Sequence, residues 1–247
     1  MTVIASPQNP RLKALRRLQT KRGRAAAGAF LAEGEDLLDA AALAGRRALE
    51  GYRLAGTGLG GEGFVDVAAP ALGEVSTLGS GTRVIGVYEQ RWGPAKGPLC
   101  VYLHGVADPG NVGTVLRSAE AFGASSVALG PRCADPHSPK AVRASMGAIF
   151  SVALARVATI AELPGERIAL EPAAEEILGA RREAAGALTL LVGAEREGLP
   201  EAVLAQCERR ARIPIASESL NAAMAATVAL YEMTRRGGWD IDTVPAS

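Results

Sequence analysis

The segment from Asp108 to Gly123 places an arginine on a helix that follows a tight turn. Asp-Pro-Gly at its start turns the chain, and Asn111 is predicted to cap the helix. At about 100° per residue one side of the helix is apolar and suits a sheet, whereas Arg117 lies roughly 140° from Val112 and faces away from the core. A guanidinium beside a turn at a strand's end can serve a binding site, with a solvated arginine as the alternative. The apolar residues are Val112, Val115, Leu116, Ala119 and Phe122.

Two later segments carry polar residues in short loops. Gly193 and Gly198 permit close approach of the backbone to a ligand, and Glu195 lies between them. An ordinary connection after a strand, with a solvated Glu195, is the alternative. The stretch Ser219–Asn221 joins an Ile-Pro strand to an N-capped helix whose alanines suit tight packing, including packing between subunits.

Several other chemistries find little support in the sequence. Gly56 to Gly61 matches G-x-G-x-x-G, but a loop and an alternating strand follow it, not the helix that a dinucleotide site requires. No G-x-S-x-G or Walker A sequence occurs, and two histidines, His104 and His137, offer little for a catalytic triad. Three isolated cysteines without C-x-x-C spacing predict neither a disulfide framework nor a metal site.

Alternating strands and helices must position these segments. The pattern after residue 98 implies a mainly parallel sheet and therefore an α/β fold. Ligands gather at the carboxyl ends of such strands, so we expect function in the loops after Leu103, Leu129, Val192 and Ile215. The predicted strands are Leu99–Leu103, Ser126–Leu129, Val152–Arg156, Arg167–Leu170, Leu188–Val192 and Arg212–Ile215, and the predicted helices are Val112–Phe122, Ser138–Ser145 and Leu220–Arg236.

A linker rich in glycine and proline, Arg91–Pro98, separates two predicted domains, residues 1–92 and 98–247. The first reads as a smaller α/β module. The start of this domain is basic, although the net charge of the whole chain is only +1. A basic start suits a phosphate-binding arm or a solvated helix face. The basic residues are Arg11, Lys13, Arg16, Arg17, Lys21, Arg22 and Arg24, and the predicted elements are helices Asn9–Gln19 and Glu35–Ala44 and strands Ala29–Ala32, Arg47–Leu54, Gly63–Val67 and Thr82–Tyr88.

Composition predicts a globular protein. Hydrophobic residues make up 48% of the chain and charged residues 21%. No apolar run approaches the roughly 18 residues that span a bilayer, and the first ten residues lack the apolar core of a signal peptide. We therefore expect a cytoplasmic location and no membrane partner.

The three segments together resemble the motifs of the SpoU (TrmH) family of the SPOUT methyltransferase superfamily. The similarity covers N-x-G-x-x-x-R at Asn111–Arg117, G-x-E-x-x-G-L-P at Gly193–Pro200, and Ile-Pro followed by S-L-N at Ser219–Asn221. The stretch Asp135–Gly147 also looks like the family's sequence between its first two motifs. The first ninety residues are similar to the L30e-like substrate-binding domain of many members, at Ser6–Pro10, Phe30–Gly34 and Val87–Gln90.

This resemblance implies a trefoil-knotted catalytic domain that binds S-adenosylmethionine and forms a homodimer. It implies methylation of a ribose 2′-hydroxyl, with rRNA favoured over tRNA and a non-catalytic RNA-binding protein as a further alternative. Only four residues separate Pro214 from Ser219, where the family often has a longer loop, and Ala223 stands where a serine is common. The implied catalytic residues are Asn111, Arg117, Glu195, Ser219 and Asn221, and the implied cofactor-binding residues are Gly193, Ile213, Leu220, Leu129 and Gly130.

Arg117 raises a question of mechanism. The family's usual proposal makes this arginine the base for the hydroxyl proton, but a guanidinium stays protonated up to a pKa above about 12. We therefore expect Arg117 to hold the phosphate beside the target ribose. Either role predicts that Arg117→Ala abolishes methyl transfer and retains cofactor binding.

Overall fold

A computed structural model describes residues 3–77, 81–180, 186–217 and 219–237. Among these, no helix is long and apolar enough to cross a membrane. The described residues form two compact units, one lying within the ranges 1–90 and 135–150 and the other within the ranges 91–134 and 151–247. The elements, in chain order, are α1 (Pro10–Leu18), α2 (Lys21–Ala27), β1 (Ala29–Glu33), α3 (Glu35–Leu43), β2 (Glu50–Leu54), β3 (Val65–Val67), α4 (Ala69–Gly73), β4 (Val84–Glu89), β5 (Leu99–Leu103), α5 (Pro109–Ala121), β6 (Ser126–Leu129), α6 (Pro139–Ala144), α7 (Ala148–Ser151), β7 (Ala153–Arg156), a 3-10 turn (Ile160–Glu162), β8 (Glu166–Leu170), β9 (Glu176–Ile177), β10 (Leu188–Val192), α8 (Glu201–Leu204), β11 (Arg209–Arg212) and α9 (Ala222–Gly237).

The first unit is built on a four-stranded sheet in the order β1-β4-β2-β3. Strand β4 runs antiparallel to β1 and β2, and β3 runs parallel to β2. Helix α1 buries Leu12, Leu15 and Leu18 in the core of this unit, because their spacing places them on one side of the helix. Its basic residues are thereby turned largely towards solvent.

Residues 135–150 pack into the first unit, although the chain reaches them from β6 of the other sheet. Arg24 and Asp135 form a buried ion pair with 2.7 Å between Nη2 and Oδ2. The rings of Phe30 and His137 lie 4.8 Å apart between centroids. The units therefore differ in this segment from the predicted domains, 1–92 and 98–247, because side-chain pairs far apart in sequence decide where it packs.

The second unit contains a seven-stranded sheet in the order β7-β6-β5-β10-β8-β11-β9. All of its strand pairs are parallel. The central strands β5 and β10 are buried along their whole length, as expected for a sheet covered on both faces. The α/β fold class and the mainly parallel sheet are thus confirmed, and the trefoil knot stays a prediction.

Some element predictions were wrong. The last strand is Arg209–Arg212, not Arg212–Ile215: the charged residues Arg209 to Arg212 pair with β8, and the Ile-Pro-Ile stretch that looked like a strand is a loop. Arg209 is buried there because Glu176 and Glu166 compensate its charge. Helices α2 and α4 were not predicted. Gly56 to Gly61 lie in a loop before β3, which confirms the predicted loop and strand after this stretch.

Candidate active site

Parallel pairing brings the predicted functional loops to one edge of the second sheet. Strand β5 pairs with β10 so that Leu103 lies opposite Val192, and β8 lies between β10 and β11. Because all these strands run in the same direction, the loops after Leu103, Val192 and Arg212 leave from the same edge. The amide of His104 donates to the carbonyl oxygen of Val192 at 2.9 Å, which holds the first two loops together.

The start of α5 differs from the prediction in its cap. Asp108, not Asn111, is the N-cap, and its carboxylate accepts from the amide of Asn111 at 3.0 Å. Pro109 occupies the first helical position, where a missing N–H costs nothing. Asn111 therefore lies in the first turn, and its own side chain is available for contacts with other loops.

Asn111, Glu195 and Asn221 form a closed set of hydrogen bonds, here called the Asn–Glu–Asn triangle. Asn111 Nδ2 donates to Glu195 Oε1 at 2.7 Å. Asn221 Nδ2 donates to the same Glu195 oxygen and to Asn111 Oδ1, the latter at 3.1 Å. Asn221 Oδ1 accepts from the amide of Ala223 at 2.9 Å and so caps α9. One residue from each predicted motif thus meets at a single point.

The loop that carries Glu195 depends on its glycines. The amide of Gly198 donates to the carbonyl oxygen of Ala194 at 2.9 Å, which closes a tight turn around Glu195. A Cβ atom at Gly193 would lie 2.2 Å from the carbonyl carbon of Gly198, so another residue there would force the loop apart. Gly198 has a φ of 63°, in the left-handed region that glycine adopts readily.

A cavity of about 760 Å³ opens beside the triangle. Three of the five predicted cofactor-binding residues, Gly193, Ile213 and Leu220, line it, as does Ser219. Leu129 and Gly130 do not: Leu129 is buried in β6, and the amide of Gly130 donates to the carbonyl oxygen of Leu103. The remaining lining residues are Leu170, Glu171, Pro172, Ala173, Val192, Ala194, Glu195, Arg196, Glu197, Gly198, Leu199, Leu204, Arg212, Ile215, Ser217, Ala222 and Ala225.

Sequence reasoning missed the part of the wall at the carboxyl end of β8, Leu170–Ala173. The rule that ligands bind at the carboxyl ends of parallel strands applies equally to this strand. Its loop lacks the glycines and the motif residues that drew attention to the others. The only feature that could have identified this loop is therefore its position at the carboxyl end of a parallel strand.

Arg117 lies on the exposed side of α5, as its helical position predicted. Within the described part of the chain it makes no hydrogen bond or ion pair. Its guanidinium is thus free to bind an anion from outside the chain. The structure does not join it to the Asn–Glu–Asn triangle.

The other ionisable groups near β5 are unsuited to nucleophilic or metal chemistry. Tyr102 and His104 Nδ1 share a hydrogen bond of 2.8 Å, and burial, followed by the nearby Arg132 cation, lowers the pKa of His104. Burial raises the thiol pKa of Cys100, Cys133 and Cys207, so all three stay protonated at neutral pH. In the residues that are described, no group of three or more His, Cys, Asp or Glu could hold a metal ion.

The predicted RNA-binding residues of the first unit are only partly available. Arg24 is buried and donates to Asp135, so its assignment to an RNA surface was wrong. Arg16 is half-buried and donates to the carbonyl oxygen of Pro7. The exposed members are Arg11, Lys13, Arg17, Lys21 and Arg22.

Comparison with known proteins agrees with the site. The family model described as the SpoU rRNA Methylase family matches residues 98–231. A crystal structure of an AdoMet-bound rRNA methyltransferase from Sinorhizobium meliloti superposes with a TM-score of 0.85 at 30% identity, covering 95% of this chain and 97% of that one. The 23S rRNA (guanosine(2553)-2′-O)-methyltransferase RlmP of Bacillus subtilis is 28% identical, covering 94% of this chain and 99% of its own.

Another relative is considerably longer. The Ribosomal RNA small subunit methyltransferase G 2 of Syntrophobacter fumaroxidans is 41% identical over 179 residues, and the match covers 68% of this chain but 35% of that protein. The parallel sheet with a cavity at its carboxyl edge defines an α/β protein with room for a ligand. The family match and the methyltransferase relatives support the predicted enzyme class. The chain belongs to the SpoU rRNA Methylase family.

Proposed function

We propose that this chain transfers a methyl group from S-adenosylmethionine to a ribose 2′-hydroxyl of RNA, releasing S-adenosylhomocysteine and the hydroxyl proton, with rRNA favoured over tRNA as substrate. The observation that carries the proposal is the Asn–Glu–Asn triangle, because it joins three motifs distant in sequence beside one cavity. The name of the B. subtilis relative, a 23S rRNA 2′-O-methyltransferase, supports the substrate class.

The cavity fits the methyl donor. Its volume of about 760 Å³ lies within the range of about 300 to 1,000 Å³ that is typical of cofactor sites. Leu170, Ile213 and Leu220 offer apolar surface for an adenine, and the loop held closed by Gly193 presents backbone N–H and C=O groups. When bound, S-adenosylmethionine supplies an electrophilic methyl group on a sulfonium.

The chain's own residues then position the nucleophile. The Asn–Glu–Asn triangle fixes the loop after β10 against the starts of α5 and α9, so the cavity wall is rigid when RNA arrives. Arg117, exposed and without a partner among the described residues, binds the phosphate beside the target ribose through its planar fork of donors. Holding the hydroxyl in a productive orientation is the main contribution to rate that such residues make.

Residues 1–92, as an L30e-like module, contribute RNA affinity. Lys13 and Arg17 are four residues apart on α1, opposite its buried leucines, and both are exposed. Cations on one side of a helix neutralise neighbouring phosphates without reading sequence. Lys21 and Arg22 extend this surface into α2.

The protein acts as a homodimer through α9. Met224, Val228 and Tyr231 are 61%, 42% and 52% exposed, and their spacing of four and three residues places them on one side of the helix. An exposed apolar stripe of this kind suits an interface, and the same stripe on a second copy is its complement in a two-fold dimer.

The test is a methyl-transfer assay with isotope-labelled S-adenosylmethionine on purified rRNA and tRNA, followed by digestion and mass spectrometry of nucleosides. We expect label in 2′-O-methylated nucleosides from rRNA. Label in a methylated base, or in tRNA alone, would contradict the substrate assignment, and cofactor binding without transfer to either RNA would contradict the reaction.

Substitutions at Arg117 separate transfer from cofactor binding. Arg117→Ala should abolish transfer and leave affinity for S-adenosylhomocysteine unchanged. Arg117→Lys keeps the charge but loses the bidentate fork, so it should retain partial activity with a raised KM for RNA. Near-normal turnover of Arg117→Ala would refute the role of this residue.

A further inference from the structure

One carboxylate in the cavity wall has unused hydrogen-bonding capacity. Glu171 follows β8 directly, lines the cavity and is 25% exposed. Its amide donates to the carbonyl oxygen of Ala211 at 3.0 Å, and its carbonyl oxygen accepts from the amide of Ala174 at 3.1 Å. The backbone of Glu171 is therefore held on both sides, and its side chain starts from a fixed point.

The charged partner of the Glu171 side chain, Arg210, lies beyond hydrogen-bonding distance. Arg210 Nη1 lies 3.7 Å from Glu171 Oε2, which is too long for a hydrogen bond, whereas Arg210 Nη2 lies 2.9 Å from Glu201 Oε1. No other side-chain partner of Glu171 occurs within the described ranges. Both carboxylate oxygens can thus accept hydrogen bonds from a ligand.

The other wall carboxylates are engaged. Glu195 accepts from two asparagines in the Asn–Glu–Asn triangle. Glu197 pairs with Arg132 at 3.1 Å and is 67% exposed, so water screens it strongly. Glu171 is the carboxylate of this wall that combines burial with open acceptor positions.

The surrounding charge decides which ligand group suits Glu171. Arg210 and Arg212 alternate with Ala211 along β11 and so lie on the same face of the sheet, and Arg212 lines the cavity. The Arg210 guanidinium at 3.7 Å from Glu171, together with the Arg212 cation in the cavity wall, disfavours the ammonium of the methyl donor but tolerates a neutral group. The neutral group with two adjacent O–H donors is the cis-diol of the cofactor ribose, which matches a carboxylate with two free oxygens.

We propose that Glu171 recognises the 2′,3′-diol of the cofactor ribose and so makes the site specific for a ribonucleoside cofactor. This inference rests on the proposed function. It adds a polar side-chain contact to a cofactor site otherwise built from apolar side chains and loop backbone.

Calorimetry with 5′-methylthioadenosine and 2′-deoxy-5′-methylthioadenosine tests the proposal without turnover. The native protein should bind the deoxy ligand about 10- to 100-fold more weakly, as expected for hydrogen bonds to a charged group. In Glu171→Ala the affinity for 5′-methylthioadenosine should fall by a similar factor, and the ratio between the two ligands should approach one. Glu171→Gln, which keeps the size of the side chain, should reduce the ratio several-fold.

Glu201→Ala is the matched control, because it removes the other carboxylate of Arg210 and lies outside the cavity. It should leave both affinities unchanged. A preserved ratio in Glu171→Ala or Glu171→Gln, or a native ratio near one, would overturn the role of Glu171. Failure of the native protein to bind S-adenosylhomocysteine would instead overturn the proposed function.

Discussion

Asn221 offers the sharpest test of how the site is built, because its side chain has two separable tasks. Its Oδ1 caps α9 through the amide of Ala223, and its Nδ2 donates to Glu195 and Asn111. Loss of an N-cap costs about 1 kcal/mol. A hydrogen bond to a carboxylate is worth about 1.5 to 3 kcal/mol, but Glu195 is exposed, so we assign about 1 kcal/mol to the triangle.

Asn221→Ala should therefore lower the free energy of unfolding by about 2 kcal/mol, or roughly 4 to 8 °C in Tm for a unit of this size. Asn221→Ser keeps a capping oxygen and loses the triangle, so it should cost about half as much. Urea unfolding followed by circular dichroism measures both variants. Each should also bind S-adenosylhomocysteine more weakly, because the loop after β10 loses its anchor.

A double-mutant cycle with Glu195→Ala isolates the contact itself. We expect a coupling energy of about 0.5 to 1 kcal/mol between Glu195 and Asn221. Strictly additive effects, or a stability of Asn221→Ser equal to that of the native protein, would show that the triangle contributes nothing beyond the cap.

The remaining predictions concern other parts of the molecule. Burial opposes ionisation of Asp135, but hydrogen bonds from His137 and Arg24 override it and hold its pKa below the usual range. Asp135→Asn should thus cost about 3 kcal/mol at pH 7, because Arg24 stays buried without its counter-charge. Since folding depresses the pKa of Asp135, the difference in unfolding free energy between the native protein and Asp135→Asn should persist above about pH 4. It should vanish as the pH falls through the pKa of Asp135 in the folded state. A difference that stays constant across acid unfolding curves would refute this prediction. Lys13→Glu combined with Arg17→Glu should weaken rRNA binding and reduce the magnitude of the slope of log affinity against log salt concentration by about 2. Filter-binding titrations at several salt concentrations measure this slope, and an unchanged slope would contradict the prediction. Met224→Asp should convert the dimer to a monomer in analytical ultracentrifugation, and a persistent dimer would place the interface elsewhere.

The sequence predicted most of the second sheet because its buried strands are continuous apolar runs. It failed at β11, where four residues, three of them arginine, form a strand. Arginine is unfavourable in a buried strand unless a carboxylate compensates its charge. Glu176 forms this ion pair with Arg209. It lies on β9, a strand of two residues that is too short to show a sequence pattern. Such pairings appear only once the chain is folded.

The site was predicted residue by residue with uneven success. Motif spacing brought Asn111, Glu195 and Asn221 together correctly, since the ends of parallel strands meet at one edge. It could not show that Asp108 takes the cap and leaves Asn111 to the site, because both residue types cap helices well. Nor could motif spacing reveal that Arg24 forms a buried ion pair with Asp135, a residue more than a hundred positions later.

A crystal structure with S-adenosylhomocysteine tests the central claim most directly. The account predicts the ligand in the cavity bounded by Gly193, Ile213 and Leu220, beside the Asn–Glu–Asn triangle. Ligand bound anywhere else on the chain, or a cavity that stays empty at saturating ligand, would contradict it.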